Sequence, residues 1–214
     1  MQRINRSSIF AVLTTILMLV LSGCGSDESG SAVAGAENEA VFEHAYSPSI
    51  GPANAAVTIV EFFDPACEAC RAFYPYVKEI LSRHPEDVRL VIRYAAFHQG
   101  SETVVRLLEA ARQQSVFMPV LENLLLKQGE WAAHHAPNID RAWELAAEAG
   151  LDLDKARSIL DSTEVNAMVA QEAADIRAFK IAQTPTFFVN GKPLEQHGPN
   201  ELYALVLSQL EQAK

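Results

Sequence analysis

Two cysteines that stand three positions apart carry the chemistry that this sequence indicates most strongly. Cys67 and Cys70 follow an apolar, β-branched run at 57–63, which predicts a buried strand that Asp64 and Pro65 end. The cysteines then open a predicted helix, so the first thiol faces unpaired backbone N–H groups and the positive end of the helix dipole. That position favours the thiolate, which is the nucleophile of disulfide exchange, and the second thiol lies where it can attack the first sulfur.

The first 23 residues have the pattern of a signal peptide that is removed from the mature protein. Arg3 and Arg6 form a basic segment, and residues 9–21 form an apolar segment that is too short to span a bilayer. This segment ends in Leu21-Ser22-Gly23-Cys24, which resembles a bacterial lipobox, in which the cysteine takes a lipid and becomes the mature N-terminus. The alternative is an ordinary signal peptide with an incidental cysteine.

The cysteine count and the net charge narrow the classes of function. With Cys24 used for lipid, Cys67 and Cys70 remain as one thiol pair in an exported chain, which favours a redox-active disulfide without a further cofactor over a structural framework. The whole chain has a formal net charge of −10; without residues 1–23, fifteen basic residues face 27 acidic ones, which gives −12. An acidic body argues against nucleic-acid binding and against docking on anionic lipid through protein charge.

Because protein charge does not favour binding to the membrane, attachment is expected through lipid on Cys24, on the periplasmic side of the cell envelope. Stable anchoring of this kind takes more than one acyl chain. In the lipoproteins that the chain resembles, an aspartate after the lipidated cysteine often means retention in the inner membrane. Gly25 stands there instead, so the outer membrane is favoured. Residues 24–45 are rich in Gly, Ser, Ala and Glu and predict a flexible tether with a span of roughly 25 Å.

The rest of the chain has the length and the pattern of one domain. A second apolar run at 88–94 predicts another central strand, which is parallel to the first because the predicted helix at 67–83 crosses between them. Residues 99–180 then predict an all-helical block, in which Val116–Lys127 is apolar almost all round and should be buried. The predicted helix starts in this block are at Ser101, Asn138 or Ile139, Asp152 and Thr163.

The last part of the chain predicts a hairpin and a helix. Residues 187–189 predict a strand, Asn190-Gly191 is a hairpin turn signal, and residues 193–195 predict an edge strand. Asn200 is the predicted cap of a final amphipathic helix.

This order of elements resembles the thioredoxin fold, and the helical block between its halves resembles the DsbA-like thiol:disulfide oxidoreductases. The resemblance covers residues 50–212, and three short motifs carry it: Glu61-Phe62-Phe63, Cys67-Glu68-Ala69-Cys70 and Thr184-Pro185-Thr186. It implies an α/β class, a thioredoxin fold with an inserted all-helical subdomain. Residues 46–98 and 181–214 would form the thioredoxin-like domain, and residues 99–180 the insertion.

The resemblance also implies roles for individual residues. Cys67 would be the exposed attacking thiol and Cys70 the shielded thiol that resolves the mixed disulfide. Pro185 would follow a cis bond and leave the Thr184 backbone free to pair with a client strand, a main-chain mode of recognition. Glu61 would be a buried acid beneath the site that takes the Cys70 proton.

Two of these points stay open on the residues alone. Glu61 has an alternative, in which its side chain faces solvent, and Asp64 is a weaker candidate for the same proton transfer. Glu68-Ala69 departs from the histidine-containing dipeptide of strongly oxidising relatives, and a glutamate beside Cys67 opposes the thiolate by like-charge repulsion. The pair is therefore predicted to be less oxidising than the histidine type, and a Cys67 pKa near 3.5 would contradict this. His98 is expected to be a surface or capping histidine, although it follows the second strand and could lie near the site.

The function that follows is a lipid-anchored thiol:disulfide oxidoreductase of the cell envelope. Its expected partners are unfolded or reduced exported proteins, in which it forms disulfides, and a quinone-linked membrane protein that reoxidises it. Reduction and isomerisation use the same atoms, so the direction of exchange stays open. The alternatives are a copper- or zinc-handling protein that uses Cys67 and Cys70 as ligands, with His134-His135 as further candidates, and a redox-inactive fold that binds peptides.

Overall fold

The computed structural model describes residues 41–133 and 136–213. The predicted signal peptide, Cys24, most of the predicted tether and His134-His135 lie outside the described residues. Within these ranges no helix combines the length and the apolar character that crossing a membrane requires. The elements are, in chain order, β1 (Ser49–Ile50), β2 (Val57–Phe63), α1 (Glu68–Arg83), β3 (Val88–Tyr94), α2 (Ser101–Gln113), α3 (Phe117–Leu126), α4 (Gln128–Trp131), α5 (Ile139–Glu148), α6 (Leu153–Leu160), α7 (Thr163–Ala178), β4 (Thr186–Val189), β5 (Lys192–Pro193) and α8 (Pro199–Gln212).

The strands of the described residues form one sheet in the order β1-β3-β2-β4-β5. The central pair, β2 and β3, is parallel, as the crossing helix predicted, and pairs Val57 with Val88 at one end and Phe63 with Tyr94 at the other. Strand β4 lies antiparallel to β2 on its other side, where Glu61 pairs with Phe187. This mixed sheet confirms the predicted α/β class, and it places the end of β2, where the cysteines begin, next to the start of β4.

Both faces of the central strands are buried, which explains why they read as continuous apolar runs. Alternate residues of β2 enter two different apolar clusters, because successive side chains of a strand point to opposite faces. Ile59 and Phe63 belong to the larger cluster, which also contains Cys70 and Val77 of α1. Glu61 stands between them on the same face of the sheet, so its carboxylate is directed toward the helix that carries the cysteines.

Several predicted boundaries and one predicted burial are wrong. Leu126 is 78% exposed at the end of α3, because an amphipathic helix packed on one side leaves its last turn open even when the sequence is apolar. Gly100, with a positive φ of 80°, caps α2 in place of Ser101, whose hydroxyl is used by Asp64. Helix α8 is capped by Gly198 and starts at Pro199, so Asn200 is already inside it.

The predicted tether ends earlier than expected. The ring of Phe42 lies 4.6 Å from that of Phe179 and 4.9 Å from that of Phe188. The ring of His44 contacts Asp175 at 2.5 Å, and the carbonyl oxygen of Val41 accepts a hydrogen bond from a buried arginine at 2.5 Å. Residues 41–45 are therefore packed on the domain, because the apolar ring of Phe42 and the polar groups beside it find partners on α7 and the sheet.

Candidate active site

Both thiols lie at the start of α1 and are unpaired in the reduced state that the structure shows. Cys67 is the residue before the helix and has extended backbone angles, φ −74° and ψ 119°, because Asp64 and Pro65 have ended strand β2. Cys67 is 5% exposed and Cys70 is 0% exposed. The prediction that Cys67 is exposed to solvent is therefore wrong. Its Sγ donates a hydrogen bond to the Thr184 carbonyl oxygen at 3.2 Å, and the Thr184 segment covers the sulfur on that side.

The surroundings of Cys67 favour its thiolate. The hydrogen bond from the Cys70 side chain lowers the pKa of Cys67 most, burial opposes this, and the Thr184 side chain and the backbone N–H groups of Cys70 and Ala69 lower it further, to about 5. These N–H groups belong to the first turn of α1, where backbone donors have no partner within the helix. A pKa of about 5 favours the ionised form of Cys67 at neutral pH. One interaction opposes this, because Sγ can donate a hydrogen bond to the Thr184 carbonyl oxygen only as the protonated thiol.

The surroundings of Cys70, in contrast, favour the protonated thiol. Burial raises the pKa of Cys70 first, and the hydrogen bond with Cys67 and the charge of Glu61 raise it further. Glu61 is 2% exposed, and its Oε1 has no hydrogen-bond partner among the residues that the structure describes. Burial, and then the charge of the Cys67 thiolate, raise the pKa of Glu61 to about 8. Near neutral pH the site therefore holds one thiolate, one thiol and one protonated carboxyl group.

The Thr184–Pro185 segment closes the site from the other half of the chain. The Thr184–Pro185 peptide bond is cis, which is the geometry that the resemblance implied. Pro185 is buried, and strand β4 follows it directly and pairs with β2. The register of β2 with β4 thus brings residues 184–185 to the edge of the sheet where Cys67 begins α1.

Asp64 organises the turn between β2 and α1. Its Oδ1 accepts hydrogen bonds from the backbone N–H of Ala66 at 2.8 Å and from the Ser101 hydroxyl. Its Oδ2 accepts from the backbone N–H groups of Phe97 and His98 at 2.7 and 2.9 Å, and lies 2.8 Å from Nδ1 of His98. Both carboxylate oxygens of Asp64 therefore bind these groups and not Cys70. The structure gives Asp64 the role of holding the turn, and not the transfer of the Cys70 proton for which the sequence made it a candidate.

Gln128 reaches the same turn from the helical block. Its side-chain nitrogen donates hydrogen bonds to the carbonyl oxygens of Pro65 at 2.8 Å and Cys67 at 3.1 Å, and the side chain is buried. Sequence reasoning missed this residue, since a glutamine 61 positions away in a helical segment carries no local signal. The helical block thus supports the backbone of the candidate nucleophile.

The two residues between the cysteines are exposed. Glu68 is in the first turn of α1, where an acidic side chain also stabilises the helix. The predicted effect of Glu68 and Ala69 on the redox balance stays a prediction. Within the described ranges, no group of three or more His, Cys, Asp and Glu side chains is placed to hold a metal ion.

The parallel β2–α1–β3 unit, the antiparallel β4 and the pair of thiols at the start of α1 define a class of protein, that of the thioredoxin fold with two cysteines three positions apart. A family model described as thioredoxin matches residues 43–207, so the chain belongs to the thioredoxin family. The solved structure of a thioredoxin-like oxidoreductase from Silicibacter pomeroyi superimposes with a TM-score of 0.69 at 25% identity, and the match covers 84% of this chain and all of that one. The predicted thioredoxin fold is thereby confirmed.

Curated relatives fall into two groups. Over 139 residues the chain is 27% identical to the thiol:disulfide interchange protein DsbA of Bordetella parapertussis, a match that covers 64% of each protein and agrees with the DsbA-like resemblance. Over 144 residues it is 32% identical to the Na(+)/H(+) antiporter NhaA of Herminiimonas arsenicoxydans, a match that covers 67% of this chain. The chain spans only 22% of the length of that antiporter.

Proposed function

We propose that this protein forms disulfide bonds in reduced, exported proteins through reversible oxidation of Cys67 and Cys70. The asymmetry between the two thiols is the observation that carries the proposal. The pKa of Cys67 is lowered to about 5 by its hydrogen bonds, whereas burial raises the pKa of Cys70. A site of this kind releases one sulfur easily as thiolate and keeps the other protonated, as a two-step disulfide exchange requires.

In the first step a client thiolate attacks Sγ of Cys67 in the oxidised protein. The client–Cys67 disulfide forms while the Cys67–Cys70 bond breaks, and the electron pair of that bond goes to Cys70. The Cys70 thiolate then takes a proton, and Glu61 is the proposed donor. Glu61 is buried on the face of the sheet that α1 covers, and burial raises the pKa of its carboxyl group to about 8. The same carboxylate receives the proton again when Cys70 acts as a nucleophile in the reverse direction.

In the second step another thiolate of the client attacks the client sulfur of the mixed disulfide. A new client disulfide forms, and Cys67 leaves as the thiolate that its surroundings stabilise. The client has lost two electrons and the protein has gained them. A membrane protein linked to a quinone is the proposed acceptor, because reoxidation of the pair requires an oxidant outside the site.

The Thr184 backbone is the proposed place where the client chain lies. The Thr184 carbonyl already contacts Sγ of Cys67 at 3.2 Å, so a client strand paired along residues 184–186 would bring its own sulfur to the same point. Recognition through main-chain hydrogen bonds depends little on client sequence, which suits an enzyme that acts on many unfolded proteins.

The proposed direction of exchange rests on the free energy of the reduced protein relative to the oxidised one. Stabilising the Cys67 thiolate stabilises the reduced protein, and hence makes the disulfide a stronger oxidant. A Cys67 pKa of about 5 lies between the values of roughly 7 and 3.5 that accompany reducing and strongly oxidising members of this fold. This supports disulfide formation by an oxidant of moderate strength. The proposed location is the periplasmic side of the cell envelope, through lipid on Cys24.

The equilibrium of the purified full-length chain with glutathione tests the direction. We expect a reduction potential well above about −250 mV, whereas a lower value would indicate a reductase. The mechanism is tested by Cys70→Ala, whose Cys67 thiolate should attack the disulfide of an oxidised client, release one client thiolate and leave a mixed disulfide between Cys67 and the client that mass spectrometry detects. A Cys67→Ala variant is the matched control and should trap none. If Cys70→Ala traps no client, the proposed function is wrong.

A further inference from the structure

His98 stands beside the active-site turn although it lies 31 positions after Cys67 in the sequence. Asp64 fixes it twice, since Oδ2 accepts from the His98 backbone N–H at 2.9 Å and lies 2.8 Å from its Nδ1. The carbonyl oxygen of the same Asp64 accepts from the backbone N–H of Cys67 at 3.1 Å. One aspartate therefore links the imidazole to the backbone of the nucleophile. The His98 side chain is 41% exposed, so it exchanges protons with solvent readily.

Three acidic groups act on His98: Asp64 on the turn, and Cys67 and Glu68 at the start of α1. Burial lowers the pKa of His98, but the hydrogen bond to Asp64 and the charges of these three groups outweigh it and raise the pKa above its ordinary value. Without the imidazolium, the Cys67 thiolate would share its surroundings with two carboxylates, which disfavour it by like-charge repulsion.

We propose that His98, held by Asp64, supplies the positive charge that stabilises the Cys67 thiolate from outside the segment between the two cysteines. This inference rests on the proposed function, in which Cys67 is the redox nucleophile, and it deepens that function by naming a positioning residue that sets its strength. The residues between the cysteines, Glu68 and Ala69, provide no positive charge. His98 provides it from the loop after β3. The disulfide is consequently a stronger oxidant at pH values at which His98 is protonated.

The substitution His98→Gln tests the charge separately from the hydrogen bond, because a glutamine amide can still donate to Asp64. In the reduced protein we expect the pKa of Cys67, followed by the ultraviolet absorbance of the thiolate, to rise by about half a unit. His84→Gln is the matched control: it removes a histidine at the far end of α1, next to Tyr203, and should leave the pKa of Cys67 unchanged.

The redox equilibrium with glutathione gives a readout that a merely structural role would not move. Near pH 7, half a pKa unit is a threefold shift toward the oxidised protein, which equals about 14 mV. At a pH above the range in which His98 titrates, which NMR of the wild type defines, the two proteins should have the same potential. An equal difference at both pH values would assign the effect to structure and overturn the inference, as would no difference at pH 7.

A reciprocal measurement keeps the inference testable if His98→Gln does not fold. Coupling between two sites is mutual, so the thiolate must raise the pKa of His98 by as much as the imidazolium lowers that of Cys67. We expect Cys67→Ser to lower the pKa of His98, measured by NMR, by about half a unit. An unchanged pKa overturns the inference. These titrations test the effect of His98 on the Cys67 thiolate without a client. If the protein forms no mixed disulfide with clients, the proposed function is wrong, but the titrations still show whether His98 stabilises the thiolate.

Discussion

Gln128 binds the backbone of Cys67: its side-chain nitrogen donates to the Cys67 carbonyl oxygen at 3.1 Å. The same nitrogen donates to the carbonyl oxygen of Pro65 at 2.8 Å, so a single amide spans the turn before α1. Because Gln128 begins α4, the inserted helices hold the turn in place as well as cover the sheet.

Replacing Gln128 with leucine should destabilise the protein and slow disulfide exchange. The substitution leaves the carbonyl oxygens of Pro65 and Cys67 without their donor, and an unsatisfied buried polar group costs about 1–3 kcal/mol. Urea unfolding of the reduced protein measures the loss of stability. Gln113→Leu on the exposed face of α2 is the matched control and should stay within about 0.5 kcal/mol of the wild type. Equal stability of the two variants would contradict this role of Gln128.

The thiolate of Cys67 should depend on the hydrogen bond from Cys70. That bond lowers the pKa of Cys67 more than any other interaction. Cys70→Ala should therefore raise the pKa of Cys67 clearly above about 5, whereas Cys70→Ser, which keeps a donor, should raise it less. The pH dependence of alkylation by iodoacetamide gives both values. Identical profiles for the two variants would show that the Cys70 side chain does not stabilise the thiolate.

Glu61 should make the reduced protein less stable as the pH rises. Its folded pKa of about 8 lies above the ordinary 4.5, so the folded state holds a proton that the unfolded state has lost between these values. The contribution of Glu61 to the free energy of unfolding therefore falls with rising pH across this window, by an amount on the order of 4 kcal/mol. The Cys67 thiolate, with its pKa lowered to about 5, contributes the opposite slope, so Glu61→Gln should make stability rise with pH more steeply than in the wild type.

Urea unfolding at several pH values from 5 to 8 compares Glu61→Gln with the wild type. Glu195→Gln, a substitution on the exposed surface, is the control and should retain the wild-type slope. The same Glu61→Gln variant should also resolve mixed disulfides at least about tenfold more slowly, because an amide does not exchange a proton with Cys70. A wild-type rate of resolution would remove Glu61 from the proposed mechanism.

Arg93 should be needed for folding rather than for redox chemistry. It is fully buried, and its guanidinium contacts Glu172 at 3.0 Å and Asp175 at 2.5 Å. Arg93→Leu leaves Glu172 buried without its cation, while Asp175 keeps its contact with His44, and removal of one partner of a buried ion pair typically costs about 3–5 kcal/mol. Thermal or urea unfolding measures this loss. Replacing Glu172 by leucine as well should recover part of it, and a double variant no more stable than Arg93→Leu would argue against the pairing.

The central part of the fold could be predicted because its signals are local. The run at 57–63, the cysteines that open α1 and the run at 88–94 each lie within one element, and the crossing helix fixes the parallel pairing of β2 with β3. Strand β1 was missed because two residues are too few to show a period of two. Leu126 was placed in the core because composition reports how apolar a helix is but not which side meets a neighbour.

The candidate site could be predicted only in part for the same reason. The cysteines, Glu61 and Pro185 stand in short motifs. The contacts of Gln128 with Cys67 and of His98 with Asp64 join residues 61 and 34 positions apart, and they depend on how α4 and the loop after β3 pack. No spacing in the sequence expresses such a relationship, so these supporting residues became visible only in three dimensions.

The surroundings of Cys67 come from segments far apart along the chain, since Gln128 arrives with the inserted helices and Thr184 precedes the last strands. A chain that has produced only β2 and α1 therefore holds Cys67 without the contacts of Gln128 and Thr184. The surroundings of this sulfur are complete only after the inserted helices and β4 have folded onto the turn.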